Sequence, residues 1–193
     1  MRRAISNGMG GGLMKIEVTK DKANRIINSG QVILVSCAYK DKTNIITLAW
    51  NMPLSHKPPL LGISVAKTHF SAELIKKSKE FIVNVPSFEL LNSVVYCGTH
   101  SGRDTDKFKE SRLEPEKANR LIKTPLIKEC IGHLECYLRD VKEVGDHFLF
   151  IGEVIYACAR EDLFKETWQP EKVKLIFHLG GKFFTTSDKK IEI

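Results

Sequence analysis

Residues 130–160 read CIGHLECYLRDVKEVGDHFLFIGEVIYACAR, and this stretch decides the fold class. It reads as two long strands, 130–144 and 147–160, joined at Gly145-Asp146. A two-residue connection with glycine first is the signature of a type II′ hairpin, so the two strands are antiparallel neighbours. Working outward, the elements upstream follow the same hairpin-like succession. Residues 31–39 (QVILVSCAY) form a β-branched strand, the polar 40–43 a turn, 44–50 a second strand and 60–66 (LLGISVA) a third. Residues 80–85 (EFIVNV) return as a strand that Pro86 ends. Short helices fall between them: 19–29 with Thr19 as N-cap and Gly30 as stop, 69–77 capped by Thr68, and 88–97 capped by Ser87 and stopped by Gly98. Downstream, 104–109 is a short helical turn, 113–129 irregular, 162–167 helical and 175–179 a strand. Strands in hairpin order with helical insertions predict a mainly β fold, an antiparallel split β-barrel, rather than a doubly wound parallel sheet. No repeat or interdomain linker appears. Residues 1–14, with Gly10-Gly11-Gly12, are expected to form a flexible tail before a single domain over 15–193.

The stretch NIITLAWNMPLSHKPP, residues 44–59, raises a question of its own. Its first half alternates like a strand, then it empties a tryptophan, an amide, a hydroxyl and an imidazole into what reads as a proline-stiffened loop. A strand that served only a core needs nothing more than a simple turn.

Composition bounds the answer. The 193 residues are 42% hydrophobic and 27% charged, so the chain can bury a core without disulfide or metal staples. No run of 18 apolar residues suggests a membrane helix, and the N-terminus lacks the apolar region of a secretory signal. The five cysteines are odd in number, lack a C-x-x-C pair and sit in apolar runs. They read as reduced, mostly buried thiols of a cytoplasmic protein, with no metal site. The net charge of +7 fits an anionic partner, but the lysines are scattered and aromatic residues do not interleave with them, so nucleic acid is not expected.

Phosphate loops of the G-x-x-x-x-G-K-[ST] and G-x-G-x-x-G types, G-x-S-x-G elbows and H-E-x-x-H are all absent. Polar loops that follow strands remain. Lys67, Thr68, His69 and Ser71 sit where a strand meets a helix N-terminus, a place suited to phosphate or simply to a capped helix. Residues 97–104 carry two glycines that permit close backbone approach, and Gly145-Asp146-His147 marks a hairpin tip. None of these decides the matter alone.

In order along the chain, N-x-x-T-x-A-W, S-V-A-K-T-H-x-S, F-I-V-N-V-P, C-G-x-x-S-G-R-x-x-D-K-F, G-D-H-x-x-x-x-G-x-V and a late H-L-G-G together resemble the flavin reductase-like family with the FMN-binding split barrel, in particular its flavoredoxin and archaeal-type ferric reductase branch. The resemblance covers roughly residues 20–184. It implies that Asn44, Thr47, Ala49, Trp50 and Asn51 run along the flavin, that Ser64, Val65 and Ala66 lend it backbone groups, and that Lys67, Thr68, His69 and Ser71 hold the 5′-phosphate. Ser101, Gly102 and Arg103 would form the loop that closes over the cofactor, and His147 would lie beside the nicotinamide. The chain departs from the family's pattern at His69, where many relatives carry arginine. The implied activity is hydride transfer from NADH or NADPH to FMN in a homodimer, the electrons passing to a monooxygenase, a ferric chelate or a carrier protein. A flavoredoxin-like electron carrier with little NAD(P)H turnover is the alternative, and a basic nucleic-acid-binding barrel is a third.

Overall fold

The computed structural model describes residues 4–5, 15–28 and 30–191. Seven strands make one antiparallel sheet: β1 (Ile33–Tyr39), β2 (Lys42–Leu48), β3 (Asn51–His56), β4 (Pro59–Ala66), β5 (Glu80–Val85), β6 (Gly132–Val144) and β7 (His147–Ala159), in the order β2-β1-β5-β6-β7-β4-β3. The two edges, β2 and β3, are consecutive in the chain and separated only by Ala49 and Trp50. A sheet whose outermost strands are joined by two residues has to roll until its edges meet. No ladder among the described residues pairs those edges, so the barrel is split at Ala49-Trp50. Three helices, α1 (Phe70–Ser78), α2 (Leu91–Thr99) and α3 (Lys107–Glu110), are inserted between strands, and a late hairpin, β8 (Ile176–Gly180) with β9 (Phe183–Thr186), pairs with Gly30–Gln31. No helix among the described residues is long and apolar enough to cross a membrane.

The unbroken apolar run of β1 follows from burial on both faces. Ile33, Val35 and Cys37 join the barrel interior with Ile63, Val65, Phe81, Phe150 and the α1 residues Leu74 and Ile75. Leu34, on the opposite face, packs with Ile45, Val94 and Cys97 of α2, Phe108 and Ile127. Asn84 in the F-I-V-N-V-P stretch fastens the layers: its side-chain nitrogen donates to Leu34 O, Ser36 Oγ and Ile82 O, and its oxygen accepts from Ile127 N. Gly152 is small because Phe81 lies against it, 2.4 Å from where a Cβ would stand. The Gly145-Asp146 hairpin is as expected, with Gly145 at φ +57° and Val144 opposite His147.

Several local expectations are corrected. Residues 51–56 are a strand, not a loop. β3 pairs with β4 through a hairpin at the cis Lys57-Pro58 bond, and Pro53 sits at a bulge on this edge strand, where a missing N–H is tolerated. His69, not Thr68, occupies the N-cap of α1. α2 continues past Gly98 to Thr99, because the glycine is used for approach to Thr47, whose Cβ lies 3.3 Å from an added Cβ. Residues 20–26 form a 3-10 helix that the Thr19 side chain does not cap, and Ser29 lies outside the described residues. Residues 162–167 are turns closed by a Phe164–Trp168 bridge. Of the segment 1–14, only Ala4–Ile5 falls among the described residues, paired with Lys15–Ile16.

Candidate functional site

The split in the barrel leaves the ends of β2 and β4 and the start of β7 facing the β8–β9 hairpin across a slot of about 620 Å³. Its barrel side carries Thr47, Leu48, Ala49, Trp50, Ser64, Ala66 and His147, while Phe184 and His178 come from the late hairpin. Trp50 is 43% exposed, and its ring lies 5.0 Å from that of His147 at 37°. The indole nitrogen donates to Asn28 Oδ1 at 2.9 Å. That leaves the Asn28 amide nitrogen 3.5 Å from His178 Nδ1, and His178 Nε2 lies 2.9 Å from Gly181 O. The chain of bonds therefore puts the His178 proton on Nε2. His147 Nδ1 stands 2.7 Å from Asp146 Oδ1, and this hydrogen bond holds the aspartate below the ordinary carboxylate range.

A second, polar basin of about 310 Å³ opens on the same wall. Thr47, His69, Gly98 and Thr99 line both spaces. Thr68, His69 and Ser71 from the start of α1 and Ser101 and Gly102 from the loop after α2 surround the basin, with Asn44 and Lys107 completing its wall. Asn44 is buried. Its amide nitrogen donates to Ser71 Oγ at 2.8 Å, while its Oδ1 has no partner. Gly102 presses against that oxygen: an added Cβ would stand 2.0 Å away. Lys107, 5% exposed, donates to the carbonyls of Ile45 at 2.8 Å and Cys97 at 2.6 Å. Burial pulls its amine below the ordinary lysine value. Burial also lowers His69, and the charges of Lys107 and His147 act in the same direction, so the imidazole favours its neutral form. Beneath the basin Cys37 is a fully buried thiol, pushed up to about 12 by desolvation.

Four expected residues line neither space. Lys67 pairs with Glu143 and lies over the Phe148 ring. Arg103 donates to Glu73 at 3.1 Å and stacks over Phe70. Val65 is sealed in the core, and Asn51 donates to Gln31 O while lining a separate apolar cleft of about 490 Å³ with Met52, Pro53 and Trp168. Conversely, Lys107, Asn28, His178 and Phe184 are wall residues to which the sequence reading assigned no role. Lys107 and His178 lay inside the quoted D-K-F and H-L-G-G patterns. Phe183 is 60% exposed, whereas Phe184 beside it packs against the apolar cluster that holds Val94 and Cys97. Asn28 carried no signal, since its partners are remote in sequence.

An orphaned acceptor beside a glycine cradle and an unpaired buried cation fit a ligand that brings hydroxyl donors and an anion. The apolar slot next door fits a flat ring with polar edges. Residues 25–185 match the model of the flavin reductase-like domain. The chain is 37% identical over 151 residues to an uncharacterised protein of Archaeoglobus fulgidus, covering 78% of this chain and 84% of that one. A flavin reductase of Pseudomonas putida is 30% identical over 128 residues, 66% of each chain. The structure of flavoredoxin from Methanosarcina acetivorans superimposes with a TM-score of 0.79 at 27% identity, covering 93% of this chain and 94% of the other.

Proposed function

This chain belongs to the flavin reductase-like domain family, and we propose that it binds FMN across the slot and basin and acts as an NAD(P)H-dependent flavin oxidoreductase. One observation carries the reading: an apolar slot and a polar, cationic basin share the wall formed by Thr47, His69, Gly98 and Thr99, so a single ligand with a planar ring at one end and a phosphate at the other spans both. Bound flavin supplies hydride acceptance at N5 and onward transfer of electrons. The protein's share is placement. Leu48, Ala49, Trp50 and Phe184 give the ring an apolar bed, with Ser64 and Ala66 of β4 beside it. Thr68, Ser71 and Ser101 supply donors at the basin. The hydroxyl of Thr47 donates its proton to Val94 O at 2.6 Å, so toward a ligand it can act only as an acceptor.

His147 is the residue assigned to the nicotinamide. Asp146 holds the proton on Nδ1 and leaves Nε2 without a partner among the described residues. His147→Ala is expected to slow anaerobic flavin reduction roughly ten- to hundredfold through lost positioning, with FMN affinity almost unchanged. Equal reduction rates would remove His147 from the mechanism. A homodimer in a reducing cytoplasm completes the proposal, and exposed Met52 and Leu54 beside the cleft of about 490 Å³ offer an apolar face for it.

The flavoredoxin likeness at 27% identity favours a second reading, an FMN electron carrier reduced by another protein. One experiment separates the two. The protein is mixed with FMN, desalted, and its visible spectrum is recorded before and after anaerobic NADH or NADPH. Retained bands that bleach support the oxidoreductase and identify the donor. Retained bands that persist support the carrier. No retained flavin, and no turnover with excess FMN, defeats both.

A further inference from the structure

The lysine of S-V-A-K-T-H-x-S is the obvious cation for a phosphate at the start of α1, yet Lys67 is committed to Glu143 and does not line the basin. Lys107 does. It enters from α3, whose N-cap Asp106 accepts from Lys109 N, and it lines the basin together with Ser101 and Gly102. An ammonium has three donors. Two reach Ile45 O and Cys97 O, and no carboxylate pairs with Lys107 among the described residues. Among the described residues its titratable neighbours are His69 and the thiols of Cys37 and Cys97, and burial pushes both thiols up, toward their neutral forms. A buried charge without a counter-ion is expensive and is normally paired. Here the missing partner has an open place beside it, next to the equally unpaired Asn44 Oδ1.

We propose that Lys107, rather than Lys67, is the counter-charge of the ligand's phosphate group and sets a preference for the phosphorylated flavin over the unphosphorylated one. The inference rests on the FMN reading above and adds a residue to it. The two backbone bonds hold the ammonium in place before the ligand arrives, so the phosphate meets a fixed charge instead of recruiting a surface lysine. Asn44 Oδ1, an acceptor, is repelled by phosphate oxygens and instead takes a hydroxyl donor from the adjoining polyol.

Flavin fluorescence quenching provides the test, with FMN and riboflavin titrated separately into wild type, Lys107→Met and Lys67→Ala. The expected result is that Lys107→Met lowers the FMN-to-riboflavin affinity ratio at least tenfold and leaves riboflavin affinity within about threefold, while Lys67→Ala leaves the ratio within about threefold. An unchanged ratio in Lys107→Met, or a collapse in Lys67→Ala, overturns the proposal. If wild type binds neither flavin, the FMN reading itself has failed. Should Lys107→Met not fold, wild type labelled with 15N at the lysine side chains answers the same question. The Lys107 ammonium resonance shifts with FMN and not with riboflavin, and a response indifferent to the phosphate overturns the proposal.

Discussion

Glu135→Gln is expected to destabilise the ligand-free protein by about 3 kcal/mol, the scale of breaking a buried charged network. Glu135 is fully buried on β6. Its Oε1 accepts from Asn119 N at 2.7 Å and Asn119 Nδ2 at 3.2 Å, and its Oε2 from Arg120 N and Leu121 N, both at 2.8 Å. Among the described residues the carboxylate is thus the only acceptor for three consecutive backbone amides, which seat Ala118 and Leu121 against Ile82 and Leu126. Glutamine keeps the shape but turns an NH2 group toward donors. The effect depends on pH with a definite sign. Burial by itself raises the Glu135 carboxyl, but the Leu121, Asn119 and Arg120 amides together with the Asn119 side chain outweigh it, and the net shift is below the ordinary value of 4.5. A group depressed by folding stabilises above its unfolded value, and that contribution is lost as pH falls through the folded value. Urea midpoints of the two proteins should therefore differ most near neutrality and converge in acid, at a pH below 4.5. A gap that stays constant from about pH 7 to about pH 3 would assign the loss to shape, not charge.

Glu135 also shows where sequence reading stops. In LECYLRD it looks like one more polar residue on a strand, and its partners lie in a segment whose Pro115 and Pro125 signalled only irregular connection. The hairpin at Gly145-Asp146 was legible because its chemistry is local: one glycine with a positive φ and two flanking strands. The strand 80–85 was legible because Pro86 ends it. β3 was not, since Pro53 and the Lys57-Pro58 pair mimic a loop, and only the pairing of Asn51 with Ile63 and Met52 with Gly62 makes those residues a strand. Gly98 misled for a related reason. A glycine near a helix end reads as a stop, whereas here it makes room for Thr47 on β2.

The same division holds at the site. Several residues that the family resemblance placed near a ligand line the slot or the basin because the backbone path sets their position, such as Ala49, Ser64 and Ala66 at strand ends or Ser71 in the first turn of α1. Two long cationic side chains escaped, because motif spacing locates a Cα and not a charged tip: Lys67 and Arg103 reach Glu143 and Glu73 instead. The question that residues 44–59 raise has a structural answer. Trp50 sits at the two-residue joint between the barrel's edges, where no neighbouring strand covers it, so the split that leaves the sheet unclosed also makes the slot. Closing the barrel with one more ladder would satisfy the edge strands and remove the cavity.

Gly102→Ala is expected to weaken FMN binding about a hundredfold while changing thermal stability little, the effect of a misplacement of about 1 Å in a pre-formed site. The new methyl would stand 2.0 Å from Asn44 Oδ1 and 2.5 Å from its Cγ. Asn44 has no room to yield: it is buried in β2 opposite Cys37, and its amide holds Ser71 at the start of α1. The loop must move instead. That loop is an exposed turn tied by Asp104 N and Thr105 N to Ser101 O, so its displacement disturbs little of the core but draws Ser101 away from the basin. The cause can be isolated with a double mutant. Asn44→Ala by itself should weaken binding through loss of the acceptor and of the Ser71 bond. In that background Gly102→Ala should cost almost nothing further, because the clash is gone. Equilibrium titration of FMN into the four proteins measures the coupling. Additive losses would mean that Gly102 serves the loop for another reason, and wild-type affinity in Gly102→Ala would show that the close approach of these two residues does not shape the site.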